Sequence, residues 1–200
     1  MVEDLPPDRW PVAGTAEHFR NWLVSVRTDK VVMPDGQQAE RTVITHIGAV
    51  AVLALDEQDR VLMIRQYRHP VARQLWEIPA GLRDVKGEAL ADTARRELLE
   101  ETGHVARDWH VLTDSYSSPG IITERMRIFL ARGLEPAESD YQREGEEKFL
   151  RTAWVPLAEA VTAAFTGKLH NGATVQGILA AHIAGTRGYT GLRAADAPED

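Results

Sequence analysis

The polar and apolar positions of this chain change rhythm several times. Residues 47–55 run Ile-Gly-Ala-Val-Ala-Val-Leu-Ala-Leu without a charge. A segment with no polar face suits a strand buried on both sides. Asp56-Glu57-Gln58-Asp59-Arg60 reads as the polar turn after it. Residues 61–68 form the partner strand, and residues 74–79 a further short one. Upstream, residues 22–33 read as one or two short strands. Pro34-Asp35-Gly36 makes a tight turn, with proline pre-set and glycine permissive. Residues 40–46 alternate and form the returning strand. This front end predicts a small N-terminal antiparallel sheet, preceded by an irregular stretch over residues 1–15.

Downstream the period lengthens to that of a helix over residues 89–102, with Ala91, Ala94 and Leu98 on one inward stripe. Gly103 stands where a left-handed C-terminal cap belongs. Strands follow at 109–116, 126–132 and 149–155, then helices at 157–166 and 173–184. Residues after Gly185 lack apolar periodicity and read as a flexible tail. Strands interleaved with a central and a terminal helix imply an α/β (α+β) sandwich. The expected division is an N-terminal β segment at 1–45, a main domain at 46–185 and a tail at 186–200.

Composition narrows the chemistry. The chain has 200 residues, 44% hydrophobic and 26% charged, enough for one well-buried domain. It has no run of eighteen apolar residues, so no membrane span is expected. The start, MVEDLPPDRWPV, has neither a basic n-region nor an apolar core, and argues against a secretory signal. Cysteine is absent, which excludes disulfides, thiolate catalysis and cysteine-bound zinc. A cytoplasmic location is the expectation. A net charge of −7 argues against general nucleic-acid affinity. Action on a phosphate ester would therefore need local cations, from bound metal and a few arginines.

The segment from Gly81 to Gly103 carries the most chemistry. Glu97, Glu100 and Glu101 stand at i, i+3 and i+4, so a helix places all three carboxylates on one face. They repel one another, and a cation is needed to offset that cost. Clustered oxygen ligands suit Mg²⁺ or Mn²⁺, and Mg²⁺ commonly acts together with substrate phosphates.

These residues resemble the signature box of the Nudix hydrolases. Arg96-Glu97-Leu98-Leu99-Glu100-Glu101-Thr102-Gly103 matches its core, with Glu88 seven residues before Arg96 and Gly81 earlier still. Two departures stand out. Six residues, not five, separate Gly81 from Glu88, and His104 takes the closing apolar position. The extra residue falls in a loop, where insertion is tolerated. The resemblance implies the Nudix fold, a mixed β-sheet sandwiched between helices, over roughly residues 20–185. It implies Glu97 and Glu101 as direct metal ligands, with Glu100 the third, and Arg96 orienting the glutamates. Glu88 lies near the helix start, where a carboxylate also suits the dipole.

Within the family the chain is most similar to the ADP-ribose pyrophosphatases. Pro119, in Tyr116-Ser117-Ser118-Pro119-Gly120, lies fifteen residues beyond His104, where that subfamily carries a proline. Ile121 replaces the usual aromatic residue after it. Glu77-Ile78-Pro79-Ala80-Gly81 resembles the subfamily's lead-in, whose alanine carbonyl is a metal ligand, here Ala80. Gln66-Tyr67-Arg68 resembles its substrate-contacting strand. Arg68 takes that contact, with Arg65 a second candidate, and both also fit plain surface arginines. From the acidic loop Glu144-Gly145-Glu146-Glu147, Glu146 or Glu147 corresponds to the general base, unless the loop is merely charged. Glu124 is a candidate substrate contact. Trp22, and less so Trp10, are candidates for the adenine clamp, with a core role the alternative for Trp22. The subfamily's N-terminal segment completes the partner's site, so a homodimer is implied. The implied reaction is metal-dependent (Mg²⁺, with Mn²⁺ possible) hydrolysis of ADP-ribose to AMP and ribose 5-phosphate. The alternatives are another nucleoside diphosphate sugar, and a non-catalytic module that senses ADP-ribose.

Overall fold

The computed structural model of the chain describes residues 2–143 and 145–199, and of Glu146 the backbone alone. The chain divides into two compact units.

The first unit comprises the residues up to Ile47 and the segment Ser118–Glu124. Strands β1 (Val12–Arg20), β2 (Val24–Val32) and β3 (Gln38–His46) form an antiparallel sheet in that order. The turn before β3 closes with the Gly36 amide donating to Met33 O at 2.8 Å, and Gly36 takes φ 83°. The irregular stretch expected over residues 1–15 is cut short, because β1 begins at Val12. All nine of its residues are exposed, so no alternation marks it in the sequence. It is held by backbone pairing to β2 and by Thr15 Oγ1 donating to Asp29 at 2.8 Å. The Ser118–Glu124 segment joins β3 through Ile44 N to Ile121 O (2.8 Å) and Thr123 N to Ile44 O (2.9 Å).

The second unit holds β4 (Ala49–Ala54), β5 (Arg60–Arg68), β6 (Arg73–Glu77), β7 (Ala80–Leu82), α1 (Leu90–Thr102), β8 (His104–Tyr116), β9 (Arg125–Pro136), β10 (Arg151–Pro156), α2 (Leu157–Phe165), α3 (Gly172–Thr186) and β11 (Arg193–Ala194). Its five-stranded sheet has the order β11-β8-β9-β4-β7 and is mixed, since β4 and β9 run parallel while the other pairs are antiparallel. A three-stranded sheet, β10-β5-β6, is antiparallel.

The unbroken apolar run of β4 has its explanation here. Val50, Val52 and Ala54 pack into one cluster with Ala91, Ala94 and Leu98 of α1 and with Trp109 and Phe129. Ala51 and Leu53, pointing the other way, join Met63, Ile78, Ile128, Leu157, Ala160, Ile178 and Ala181 of the opposite layer. Helix α1 thus covers one face, α2 and α3 the other. Complete burial of Leu98 contributes about 2 kcal/mol and seats α1. Gly177 lets α3 close on the sheet, since a Cβ there would meet Ile78 Cδ1 at 3.0 Å.

The tail departs from expectation. Beyond Gly185 the chain does not swing free: β11 pairs with β8, and the buried Arg127 donates to the carbonyls of Ala197 (2.6 Å) and Pro198 (2.9 Å). Glu199 pairs with Arg83 at 3.1 Å. These contacts are polar and long-range, so apolar periodicity cannot announce them. Among the described residues no helix is long and apolar enough to cross a membrane.

Candidate active site

Helix α1 presents the acidic face. Gly103, in the left-handed conformation with φ 67°, ends it as the sequence predicts, its amide donating to Leu99 O at 2.8 Å. Strand β7 runs beside the helix, placed by backbone bonds to β4 and by two anchors just before it. Ile78 N donates to the buried Thr174 hydroxyl at 3.0 Å, and Pro79 O accepts from Val52 N at 2.8 Å. The consequence is a close approach. A Cβ on Gly81 would lie 2.0 Å from the Glu97 carboxyl carbon, so only glycine leaves room for that carboxylate.

Glu97 and Glu101 share this side of the helix. Glu101 is only 5% exposed, and its Oε2 accepts from the Ala80 amide at 2.9 Å. Burial pushes the Glu101 carboxyl up to about 8, against the Ala80 hydrogen bond and with repulsion from Glu97 adding to it. Burial likewise pushes Glu97 up to about 7, with Arg96 opposing the rise and Glu100 adding to it. A buried and a half-buried carboxylate on one side of the helix resist carrying both charges.

Arg96 gathers the remaining negative charge. It donates to Glu97 Oε1 at 2.7 Å, to Glu100 Oε2 at 3.3 Å and to both oxygens of Glu88 at 3.2 Å, with Asp84 at 3.5 Å. The Glu88 hydrogen bonds raise the arginine further above its ordinary range. Arg96 and Thr93 hold Glu88 below the usual carboxylate range. Glu88 therefore braces Arg96, and the helix has no side-chain N-cap.

Arg68 is held by Glu77, which is 1% exposed and accepts from Arg68 Nε at 3.0 Å and Nη2 at 2.6 Å. With Arg68 42% exposed, the pair fixes a cation at the surface of the site, and its charge favours the ionised form of Glu101. Arg65 lies elsewhere. Strand alternation turns it to the other face of β5, where its guanidinium sits 5.3 Å from the Trp76 ring centre. Its Nε is buried with no hydrogen-bond partner among the described residues.

Between β9 and β10 the chain forms a loop ending in a 3-10 turn, Gly145–Phe149. Glu147 accepts from the Tyr141 hydroxyl at 2.9 Å, and its charge raises Glu101. That bond and that charge push the Tyr141 phenol up to about 12, so it stays protonated and donates. Arg143 donates to the carbonyls of Glu101 (2.6 Å) and Glu100 (3.4 Å). The Glu144 residue and the Glu146 side chain lie outside the described residues.

The structure thus brings together Ala80, Arg96, Glu97, Glu100 and Glu101, with Arg68 and Glu147 within electrostatic reach. Trp22, Pro119 and Glu124 belong to the first unit. Trp22 is 71% exposed and is no core tryptophan. Pro119 is exposed, and Glu124 lies 3.4 Å from His46 Nδ1. Sequence reasoning passed over three side chains. Glu77 stood in the quoted lead-in without a role of its own, and Tyr141 and Arg143 lie in a polar stretch with no pattern to mark them. Two cavities accompany the helix. One of about 560 Å³ adjoins its first turn, away from Glu97 and Glu101. Another, of about 530 Å³, lies beside Glu100, Tyr141 and Arg143.

A divalent cation fits this donor set. The donors on offer are all hard oxygens, and a cation would relieve the repulsion that raises Glu97 and Glu101. Among the described residues no group of three or more His, Asp and Glu side chains forms a ready-made cage. Mg²⁺ characteristically takes one or two carboxylates and completes its shell with water and substrate phosphates.

A helix-borne carboxylate face, its arginine brace and the glycine strand beneath it, set in a mixed sheet between helices, define a hydrolase architecture. The chain belongs to the Nudix family: the NUDIX domain matches residues 45–176. It is 41% identical over 174 residues to an ADP-ribose pyrophosphatase of Mycobacterium tuberculosis, covering 87% of this chain and 83% of that one. It is 34% identical over 160 residues to an ADP-ribose pyrophosphatase of Bacillus subtilis, covering 80% and 85%. In three dimensions it resembles a solved ADP compounds hydrolase with a TM-score of 0.76, covering 92% of this chain and 99% of that one, at 20% identity. The last likeness shows the fold alone.

Proposed function

We propose that this Nudix hydrolase cleaves the pyrophosphate bond of ADP-ribose to AMP and ribose 5-phosphate, with Mg²⁺ as the working cation and Mn²⁺ a substitute. The desolvated Glu97–Glu101 pair beside Gly81 carries this reading. Both named relatives support the substrate.

Glu97, Glu101 and the Ala80 carbonyl would hold the cation, with Glu100 available as a further ligand. Bound there, it supplies Lewis-acid polarisation of the pyrophosphate and eases deprotonation of water. Arg96 keeps Glu97 and Glu100 in place and limits the repulsion between them. Arg68, fixed by Glu77, binds a phosphate oxygen of the substrate. Glu147 accepts the proton of the attacking water, and that oxygen adds to phosphorus as the bridging P–O bond breaks.

We also propose a homodimer. The wholly exposed β1, together with Phe19 and Trp22, supports association of the N-terminal sheet with a second copy. Light scattering must then give twice the 22.2 kDa chain mass, and a monomer at working concentration would refute it.

The test of the reaction is hydrolysis of ADP-ribose, ADP-glucose, GDP-mannose and NADH with Mg²⁺ or Mn²⁺, products resolved by chromatography. AMP from ADP-ribose must dominate, and Glu101→Gln must lose about 10²-fold in turnover. Preference for another member would move the substrate and keep the chemistry. Turnover unaffected by Glu101→Gln would refute the carboxylate site.

A further inference from the structure

We infer that Arg143 and Tyr141 are positioning residues that tie the Glu147 loop to the C-terminal end of the carboxylate helix. The inference deepens the proposed reaction and rests on Glu147 acting as its base.

The last four carbonyls of a helix lack partners within it. In α1, Leu99 O accepts from Gly103 N at 2.8 Å, and Thr102 O lies 2.9 Å from His104 Nδ1. The two between them, Glu100 O and Glu101 O, are reached by the Arg143 guanidinium, at 3.4 and 2.6 Å. A cation there also complements the negative end of the helix dipole. This cap comes from a residue more than forty positions downstream, in the loop that carries Glu147. Two residues before Arg143, Tyr141 donates to Glu147 Oε2 at 2.9 Å, and its own amide donates to Ser139 Oγ at 3.1 Å. Leu150 N donates to Glu147 O at 3.0 Å and holds the turn from the far side.

The loop is thus fastened to the helix at Arg143 and to itself at Tyr141, with one geometric result. Arg143 grips the backbone of Glu101, whose side chain is the buried carboxylate of the site. Tyr141 grips the carboxylate of Glu147. The spacing between the helix carboxylates and Glu147 is thereby set through a short polar relay. A general base displaced by about 1 Å loses much of its rate advantage, so such a relay acts on turnover more than on binding.

The experiment compares Arg143→Ala, Arg143→Lys, Tyr141→Phe and Glu147→Gln with the wild-type chain, on the panel substrate it turns over fastest. The expected result for Arg143→Ala is a kcat about tenfold or more lower, with KM and Mn²⁺ affinity within about twofold of wild type. Arg143→Lys recovers part of the loss, and Tyr141→Phe loses several-fold. In the Glu147→Gln background the Arg143→Ala change adds little, because both act through one group. A wild-type kcat in Arg143→Ala would overturn the inference, as would full additivity with Glu147→Gln. Silence toward ADP-ribose with turnover of another panel member overturns the substrate reading alone. Full activity of Glu147→Gln overturns the base, and the relay with it. Amide hydrogen exchange needs no turnover: it must quicken across residues 138–149 in Arg143→Ala, and unchanged exchange would refute the tie.

Discussion

Gly81→Ala adds one methyl group and no charge, yet it strikes the centre of the site. The new Cβ would lie 2.0 Å from Glu97 Cδ, 2.1 Å from Oε1 and 2.4 Å from Cγ. Carbon atoms settle at about 3.5–4.0 Å, so the carboxylate must retreat by about 1.5 Å. That retreat breaks or stretches the 2.7 Å bond from Arg96 to Glu97 Oε1. Gly81 is not among the positive-φ residues, so the backbone itself accepts alanine. The atoms it meets are the end of a flexible side chain, so the change costs little stability and acts on the position of the carboxylate. A ligand misplaced by more than 1 Å costs about 10² in rate, or about 2.7 kcal/mol of activation free energy. The assay measures kcat across an Mg²⁺ titration, with Tm recorded to show that the chain is folded. Turnover must fall about 100-fold and the half-saturating Mg²⁺ concentration must rise. Gly14→Ala, where a Cβ meets nothing within 4 Å, is the control. A folded Gly81→Ala protein within threefold of wild-type kcat and Mg²⁺ requirement would show that Glu97 does not act from this position.

The raised carboxyls of Glu97 and Glu101 make the metal-free protein sensitive to pH. Folded values of about 7 and about 8 lie above the ordinary 4.5, so the native state binds protons more tightly than the unfolded chain. Their contribution to stability is complete below about pH 4.5 and is lost as pH rises through 7 to 8. In EDTA, Tm must decline over that window from this pair, and Glu97→Gln/Glu101→Gln must flatten the decline; an unchanged slope refutes the shift. Glu77→Gln removes the charge that fixes Arg68. KM for ADP-ribose should rise about tenfold, about 1.4 kcal/mol, with kcat little changed, and an unchanged KM counts against Arg68 as a phosphate contact. Arg127→Met strips two hydrogen bonds from Asp114 and two from the carbonyls of Ala197 and Pro198. Urea unfolding should show a loss of about 2–3 kcal/mol, and limited proteolysis should clip residues 195–199; a protein as stable and resistant as wild type would refute that anchor.

The local rhythm of the sequence determined most of the fold. The apolar run of β4, the alternation of β3, the stripe of Ala91, Ala94 and Leu98 and the capping Gly103 all found their elements. The carboxylate face of α1 was legible for the same reason, because i, i+3 and i+4 positions are neighbours in any helix. Strand β1 was not legible, since it buries neither face and leaves no period to read. Nor was the anchored tail, whose hold includes Arg127 reaching carbonyls seventy residues away.

Tertiary structure alone decided how the face is completed. It set β7 so close that any side chain at Gly81 would displace the Glu97 carboxylate, and it desolvated Glu97 and Glu101 until their charges became costly. It also gave Arg68 to Glu77, set Arg65 against Trp76, and brought Arg143 to the helix end. Helical and strand periods act between near neighbours and leave a trace in the sequence. Close approach, desolvation and long-range hydrogen bonds arise only when distant segments meet, and a single sequence carries no period for them.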